Sequence, residues 1–227
     1  MVAEIAFSFL DTNTRAVVHQ YLGNMTIEEA GSWMDEMRSN HTYDYMKTWH
    51  YIDIPKGDNY VPGTKEENAA NEITRVITEL KHKEKMSDEQ IRLDILILFH
   101  LVGDLGQPLH TGYTGDKGGN DIQVKYLDKS SNLHRVWDSE IIESEHITVQ
   151  QCMAMAKKYN KARFAEVKKI DMEKWVNFSR NQLDGVYDFK DNTIDQVYVN
   201  KNKPVVEEDI FVAGVHLYSV LEQCFKK

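Results

Sequence analysis

Twelve consecutive residues, Ile91 to Val102, read Ile-Arg-Leu-Asp-Ile-Leu-Ile-Leu-Phe-His-Leu-Val and constrain the fold more than any other stretch. Ser87 with Gln90 three residues on makes a capping box just upstream, so the segment has a defined helical start. Its apolar side chains lie nearly all round the helix, a pattern that requires burial on every side. The rest of the chain must therefore wrap around this element. The other periodicities are helical too. Ile5, Phe9, Val17, Val18, Tyr21 and Leu22 predict an opening helical hairpin that closes near Gly23 and Asn24. Thr26 and Glu29 form a second capping box, before a segment through Trp33, Met34 and Met37. Further helices are expected over 65–82, 134–143, 148–165, 171–188 and 206–225. Only Asp121–Leu127 alternates like a strand, and one strand makes no sheet. The expected fold class is all-α, an irregular helical bundle. At 227 residues and 26.4 kDa, without a Gly-, Ser- or Pro-rich linker or a repeat, the chain is expected to form a single domain, 1–227.

Charge and composition exclude several functions. No apolar run approaches the roughly 18 residues needed to span a bilayer, so no membrane partner is expected. The 36 acidic against 27 basic side chains leave a formal charge of -9, the wrong sign for gripping nucleic acid through a basic surface unless bound cations reverse the field locally. Cys152 and Cys224 lie far apart and outside any CxxC pattern, which excludes a thiolate zinc site. A disulfide in an oxidising compartment and two buried free thiols are equally compatible with them. The start, Met1-Val2-Ala3-Glu4-Ile5, has no basic n-region and reads as a chain entered partway into a helix.

The chemistry concentrates in HLVGDLGQPLH, His100 to His110. Asp104 lies four positions after His100, which puts both on one helical face, one turn apart. Pro108 limits continuation of the helix, and the turn it forces can bring His110 back toward that face. His134 and Asp138 in NLHRVWD repeat the spacing, and His50 in TWHYIDIP with Asp35 in SWMDEMR adds a third grouping. A lone histidine on an apolar helix is more often a hydrogen-bonded core residue than a ligand, and an i,i+4 His/Asp pair can be a simple contact. Recurrence beside the most apolar helix shifts the balance, because His100 and Asp104 would be costly to bury unless something paired with them. A shared metal satisfies both. Imidazole and carboxylate donors without thiolate suit zinc, and clustered zinc would let an acidic protein receive a phosphate. His19, His41, His82, His146 and His216 have no partner at ligand spacing and read as surface or structural residues.

SWMDEMR, WHYID, HLVGDLGQPLH, GGNDI and NLHRVWD, in this order and at these separations, resemble the single-strand-specific, zinc-dependent nuclease and 3'-nucleotidase family of fungi, plants and bacteria. That resemblance implies the family's all-α fold, which zinc phospholipase C shares. It also implies an endonuclease and 3'-nucleotidase that leaves 5'-phosphates. Carried over position by position, it makes Asp35, His50, His100 and Asp104 the ligands of one zinc, with Asp104 also bridging to a neighbour. His110, His134 and Asp138 would be ligands of another. Arg38 would sit by the substrate phosphate, Tyr51 would stack on a nucleobase, and Asp53 would contact the base or position water. Zinc is the implied cofactor, up to three ions in the parent enzyme. The implied partners are single-stranded nucleic acid and nucleotides, with the protein monomeric and secreted or periplasmic. The family's N-terminal tryptophan and following histidine have no match here, so a signal peptide and the first mature residues are expected to be absent, with fewer zinc ions held as a result. Two other readings are a zinc phospholipase C, which typically has Glu where this chain has Asp138, and a non-catalytic protein stabilised by zinc, for which seven ligands would be excessive.

Overall fold

A computed structural model describes residues 1–226. The apolar segment is the middle of α5 (Asp88–Gly106), and its capping box forms as expected: Ser87 Oγ accepts from the Gln90 amide, and Gln90 Oε1 accepts from the Ser87 amide. Four shorter helices precede it: α1 (Val2–Phe9), α2 (Thr12–Leu22), α3 (Ile27–Glu36) and α4 (Ala69–Leu80). The opening hairpin turns between α1 and α2, where Asp11 caps α2 by accepting from the Thr14 amide, and Gly23 then ends α2 with φ +66°. Thr26 and Glu29 close the second capping box at α3. Helices α2, α3 and α4 all pack on α5, as do the helix Met172–Arg180 and the C-terminal helix Gln196–Phe225. From Ile95 to Val102 every residue of α5 is buried, as the all-round apolar pattern requires.

Apolar residues form two clusters. One surrounds α5; the other gathers Leu133, Trp137, Ile141 and Phe211. Helix α1 lies between them, with Ile5 in the second cluster and Ala6 and Phe7 in the first. A side chain at Gly214 would collide with Ile5, so this glycine sets how closely α1 approaches the C-terminal helix.

The helices expected over 148–165 and 171–188 each divide, into Val149–Ala154 and Lys161–Val167 and into Met172–Arg180 and Leu183–Val186, and two further expectations need correction. Asp121–Leu127 does yield a strand, β1 (Gln123–Tyr126), but it has partners: β2 (Lys129–Asn132), antiparallel, and β3 (Thr193–Ile194), parallel, in the order β2-β1-β3. Leu127 and Asp128, with φ of +42° and +71°, turn the chain between β1 and β2. Secondly, the C-terminal helix starts ten residues before the expected 206 and runs through Pro204. Asp195 caps its start by accepting from the Tyr198 amide, and this anchor lets the helix carry the one hydrogen bond that proline removes. Both cysteines are free and buried, one in each cluster.

After α5 the chain turns at Gln107, which is extended (φ -84°, ψ 123°), and Pro108 opens a short 3₁₀ turn carrying His110. The segment after His50 runs alongside: the Ile52 amide donates to the His110 carbonyl at 2.7 Å, and the Ile54 amide to that of Gly112 at 3.1 Å. Ser179 Oγ and Arg180 Nη1 then tie this turn to the helix Met172–Arg180 by donating to the carbonyls of Leu105 and Thr111, each at 2.6 Å.

Candidate metal centre and cleft

The turn and its neighbours line a cleft of about 920 Å³. Asp35, Arg38, His50, Tyr51, Asp53, Asp104, His110, His134 and Asp138 all line it. His100 sits beneath, 5% exposed. Residues separated by over a hundred positions thus converge on one surface.

Two groups can each hold a metal ion: Asp35, His50 and His100, and then His110, His134 and Asp138. In the first, His50 Nδ1 and His100 Nε2 lie 3.0 Å apart, with Asp35 Oδ1 at 4.0 and 3.6 Å from them. Asp104 faces both groups. Its Oδ2 is 3.0 Å from His50 Nδ1 and 3.1 Å from His100 Nε2, while its Oδ1 is 3.5 Å from His110 Nδ1. In the second group His110 and His134 stack with centroids 5.0 Å apart, and their Nε2 atoms are each 3.2 Å from an oxygen of Asp138.

The outer hydrogen bonds fix which ring nitrogen is free. A carbonyl only accepts, so His100 Nδ1–H donates to Gly31 at 2.8 Å and His134 Nδ1–H donates to Gly118 at 2.8 Å. In the neutral imidazoles Nε2 then carries a lone pair, and it is aimed at carboxylate oxygens. Lone pair facing lone pair is repulsive unless a proton or a metal lies between. Neither nitrogen of buried His110 has an aligned hydrogen bond among the described residues. Burial, imidazole and carboxylate donors, and these unsatisfied nitrogens all fit a divalent metal.

The acid–base balance has the same origin. Burial disfavours charge on His100, yet the Asp104 and Asp35 carboxylates hold it up at about 9; burial likewise opposes a raised His110, which Asp104 and Asp138 outweigh. Against the same burial, His100 and His110 hold Asp104 well below the carboxylate range, and His110 and His134 do so for Asp138. Asp53 shifts the other way, raised by burial and then by Asp116.

Local structure explains the placement. Asp35 is in the last turn of α3, and Arg38 follows one turn later, its Nε 2.8 Å from Asp35 Oδ1 and its Nη2 3.5 Å from His50 Nδ1. The helix carrying His134 widens into a π-helical turn at Val136–Glu140, which includes Asp138, an irregularity frequent at functional sites. Tyr51 is 40% exposed and is part of the cleft lining. Lys47, Lys117, Asn120, Arg135 and Ser139 also line the cleft, and sequence reasoning did not single them out. Asn120 lies inside the GGNDI motif and Arg135 inside NLHRVWD, so these two had a signal. Gln107 was missed as well; its Nε2 donates to Asp138 Oδ1 at 2.7 Å.

The profile of the S1/P1 nuclease family matches residues 1–226. Among curated proteins, Endonuclease 1 and Endonuclease 4 of Arabidopsis thaliana are 31% and 30% identical over 157 and 159 residues. Those alignments each cover 63% of this chain and 52% and 53% of the relatives. Nuclease S1 of Aspergillus oryzae is 25% identical over 150 residues, 63% of this chain and 52% of its own length. The chain spans about half the length of the curated relatives it matches. With the profile running through every element that shapes the cleft, from α1 to the C-terminal helix, this chain belongs to the S1/P1 nuclease family.

Proposed function

We propose that the protein is a zinc-dependent hydrolase that cuts phosphoester bonds of single-stranded nucleic acid and 3'-nucleotides and leaves 5'-phosphates. The observation that carries this reading is the pair of His/Asp groups in one cleft, with buried imidazole nitrogens aimed at carboxylates. Asp35, His50, His100 and Asp104 would hold one ion, and His110, His134 and Asp138 another. Bound zinc supplies Lewis-acid charge for the phosphoryl oxygens and an acidified water for attack.

The chain's own groups do the rest. Arg38 is held at 2.8 Å by Asp35, leaving the remaining guanidinium face to steady the charge that builds on the phosphate. The exposed Tyr51 ring stacks on a base, which is accessible only when unpaired. Asp53, its carboxyl raised by burial, sits where it can exchange a proton or hydrogen bond with that base. The Gly31 and Gly118 carbonyls fix the His100 and His134 rings so that each Nε2 would be free to hold an ion. We further propose that residues 1–227 act as one domain, monomeric and exported; among the described residues no helix is long and apolar enough to cross a membrane.

The test is a metal-stripped sample reloaded with zinc and offered single-stranded DNA, the same sequence as duplex, 3'-AMP and lecithin. Zinc-dependent release of 5'-phosphorylated products from the single strand and of phosphate from 3'-AMP is expected. Turnover of lecithin without nucleotide turnover would overturn the reading.

A further inference from the structure

A second cleft, of about 430 Å³, lies between α4, α5 and the segment 45–49, and none of its lining residues lines the first. Three carboxylates, Glu72, Glu79 and Asp94, share it with a single guanidinium. That cation is already committed: Arg75 Nε donates to Glu72 at 2.7 Å and Nη1 to Glu79 at 2.8 Å, with the guanidinium 5.3 Å from the Trp49 ring. Asp94 is 4% exposed, and its Oδ2 has no hydrogen-bond partner among the described residues. The Trp49 indole N–H, a donor of another residue in the same lining, has no acceptor among them either. Burial, and next the neighbouring Glu79, push the Asp94 carboxyl up to about 7.

A buried acceptor and a buried donor without partners are each costly, and both falling in one cleft is hard to explain by packing alone. The walls add a chemical bias. Tyr45, half exposed, packs edge-on to Trp49 with centroids 5.3 Å apart, while Met86, Leu93 and Ile97 give the cleft an apolar floor. Excess carboxylate disfavours phosphate and favours a cation; aromatic and aliphatic walls favour an organic one over a hydrated metal.

We propose that this cleft binds a small alkylammonium that also bears a hydroxyl, the ammonium meeting Asp94 and Glu79 and the hydroxyl accepting from the Trp49 N–H. The ligand's alkyl chain lies against Leu93 and Ile97. Nothing in this site depends on the nuclease reading.

The probe is 4-amino-1-butanol, titrated at pH 8, where Asp94 is ionised, with the Trp49 indole N–H resonance followed by NMR. The neutral comparator is 1,4-butanediol, of nearly the same size. Saturable binding that shifts the Trp49 signal and is not competed by the diol is expected. Asp94→Asn, which keeps the side-chain shape, should weaken it about tenfold or more. Glu79→Gln, at the open rim where folding is not at stake, should weaken it too. Absence of saturable binding, equal competition by the diol, or unchanged affinity in a folded Asp94→Asn variant would each overturn the proposal.

Discussion

Asp104 is the residue on which the two His/Asp groups depend together. Its Oδ2 lies within 3.1 Å of nitrogens of His50 and His100, and its Oδ1 is 3.5 Å from His110. Asp35, by contrast, is half exposed and reaches only the first group. Asp104→Ala should therefore lower zinc per chain further than Asp35→Ala does. Equal zinc content in the two variants, measured by atomic emission on dialysed samples, would show that Asp104 does not serve both groups. Tyr51 makes a different kind of contribution. It lines the cleft but belongs to neither His/Asp group, so its contact with a base should be alike in ground and transition states. Tyr51→Ala should raise KM for single-stranded substrate by the equivalent of about 1–3 kcal/mol and leave kcat nearly unchanged. A large loss of kcat at constant KM would place Tyr51 in the chemistry instead.

Among the elements, the GlyGly turn before Asn120 shows how backbone shape reaches the site. Gly118 has φ +59°, and a side chain there would strike the Leu109 carbonyl and come within 3.6 Å of His134 Nδ1. Because the Gly118 carbonyl orients the His134 ring, Gly118→Ala should weaken zinc at the second group about 10- to 100-fold. Zinc titration with the melting temperature followed in parallel checks this; unchanged affinity in a folded variant would deny the turn that role. The same turn marks what could be read from the chain. The capping boxes at Thr26 and Ser87, the all-round apolar α5 and the i,i+4 spacing of His100 with Asp104 are local, so they were legible. The order of the five motifs then named the candidate site residues through resemblance. What stayed hidden was set by tertiary contact. Lys129–Asn132 is Lys-Ser-Ser-Asn, with no apolar alternation, and becomes a strand only because Gln123–Tyr126 offers it an edge. The Gly31 carbonyl beneath His100 has no side chain to announce it, and Lys47 and Lys117 reach the cleft from separate segments outside the five motifs.

For the whole molecule, two apolar clusters joined by α1 and the C-terminal helix hold the cleft in shape, and one buried titrating group inside that assembly sets a limit on acid tolerance. His216 stacks on Trp175, centroids 4.0 Å apart, and burial drops its pKa to about 3 from the usual 6.5. The unfolded chain takes up that proton first, so this residue's contribution is intact above pH 6.5 and is lost as pH drops toward 3, while Asp94, raised to about 7, is protonated first in the folded chain and acts in the opposite direction over the same fall. The His216 contribution falls by about 1.4 kcal/mol per pH unit well inside that window. His216→Gln should lower the slope of stability against pH by that amount, as read by urea unfolding of the metal-free protein and the variant between pH 4 and 7; an unchanged slope would mean that His216 does not titrate as its burial requires. The central claim is that two metal positions lie in one cleft beside Arg38 and Tyr51. It is tested most directly by anomalous diffraction at the zinc edge from zinc-soaked crystals. Two peaks are expected, one about 2.0–2.2 Å from donor atoms of Asp35, His50 and His100, the other at the same distance from those of His110, His134 and Asp138. Saturating zinc that gives no peak at either group, or peaks only elsewhere on the surface, would contradict it.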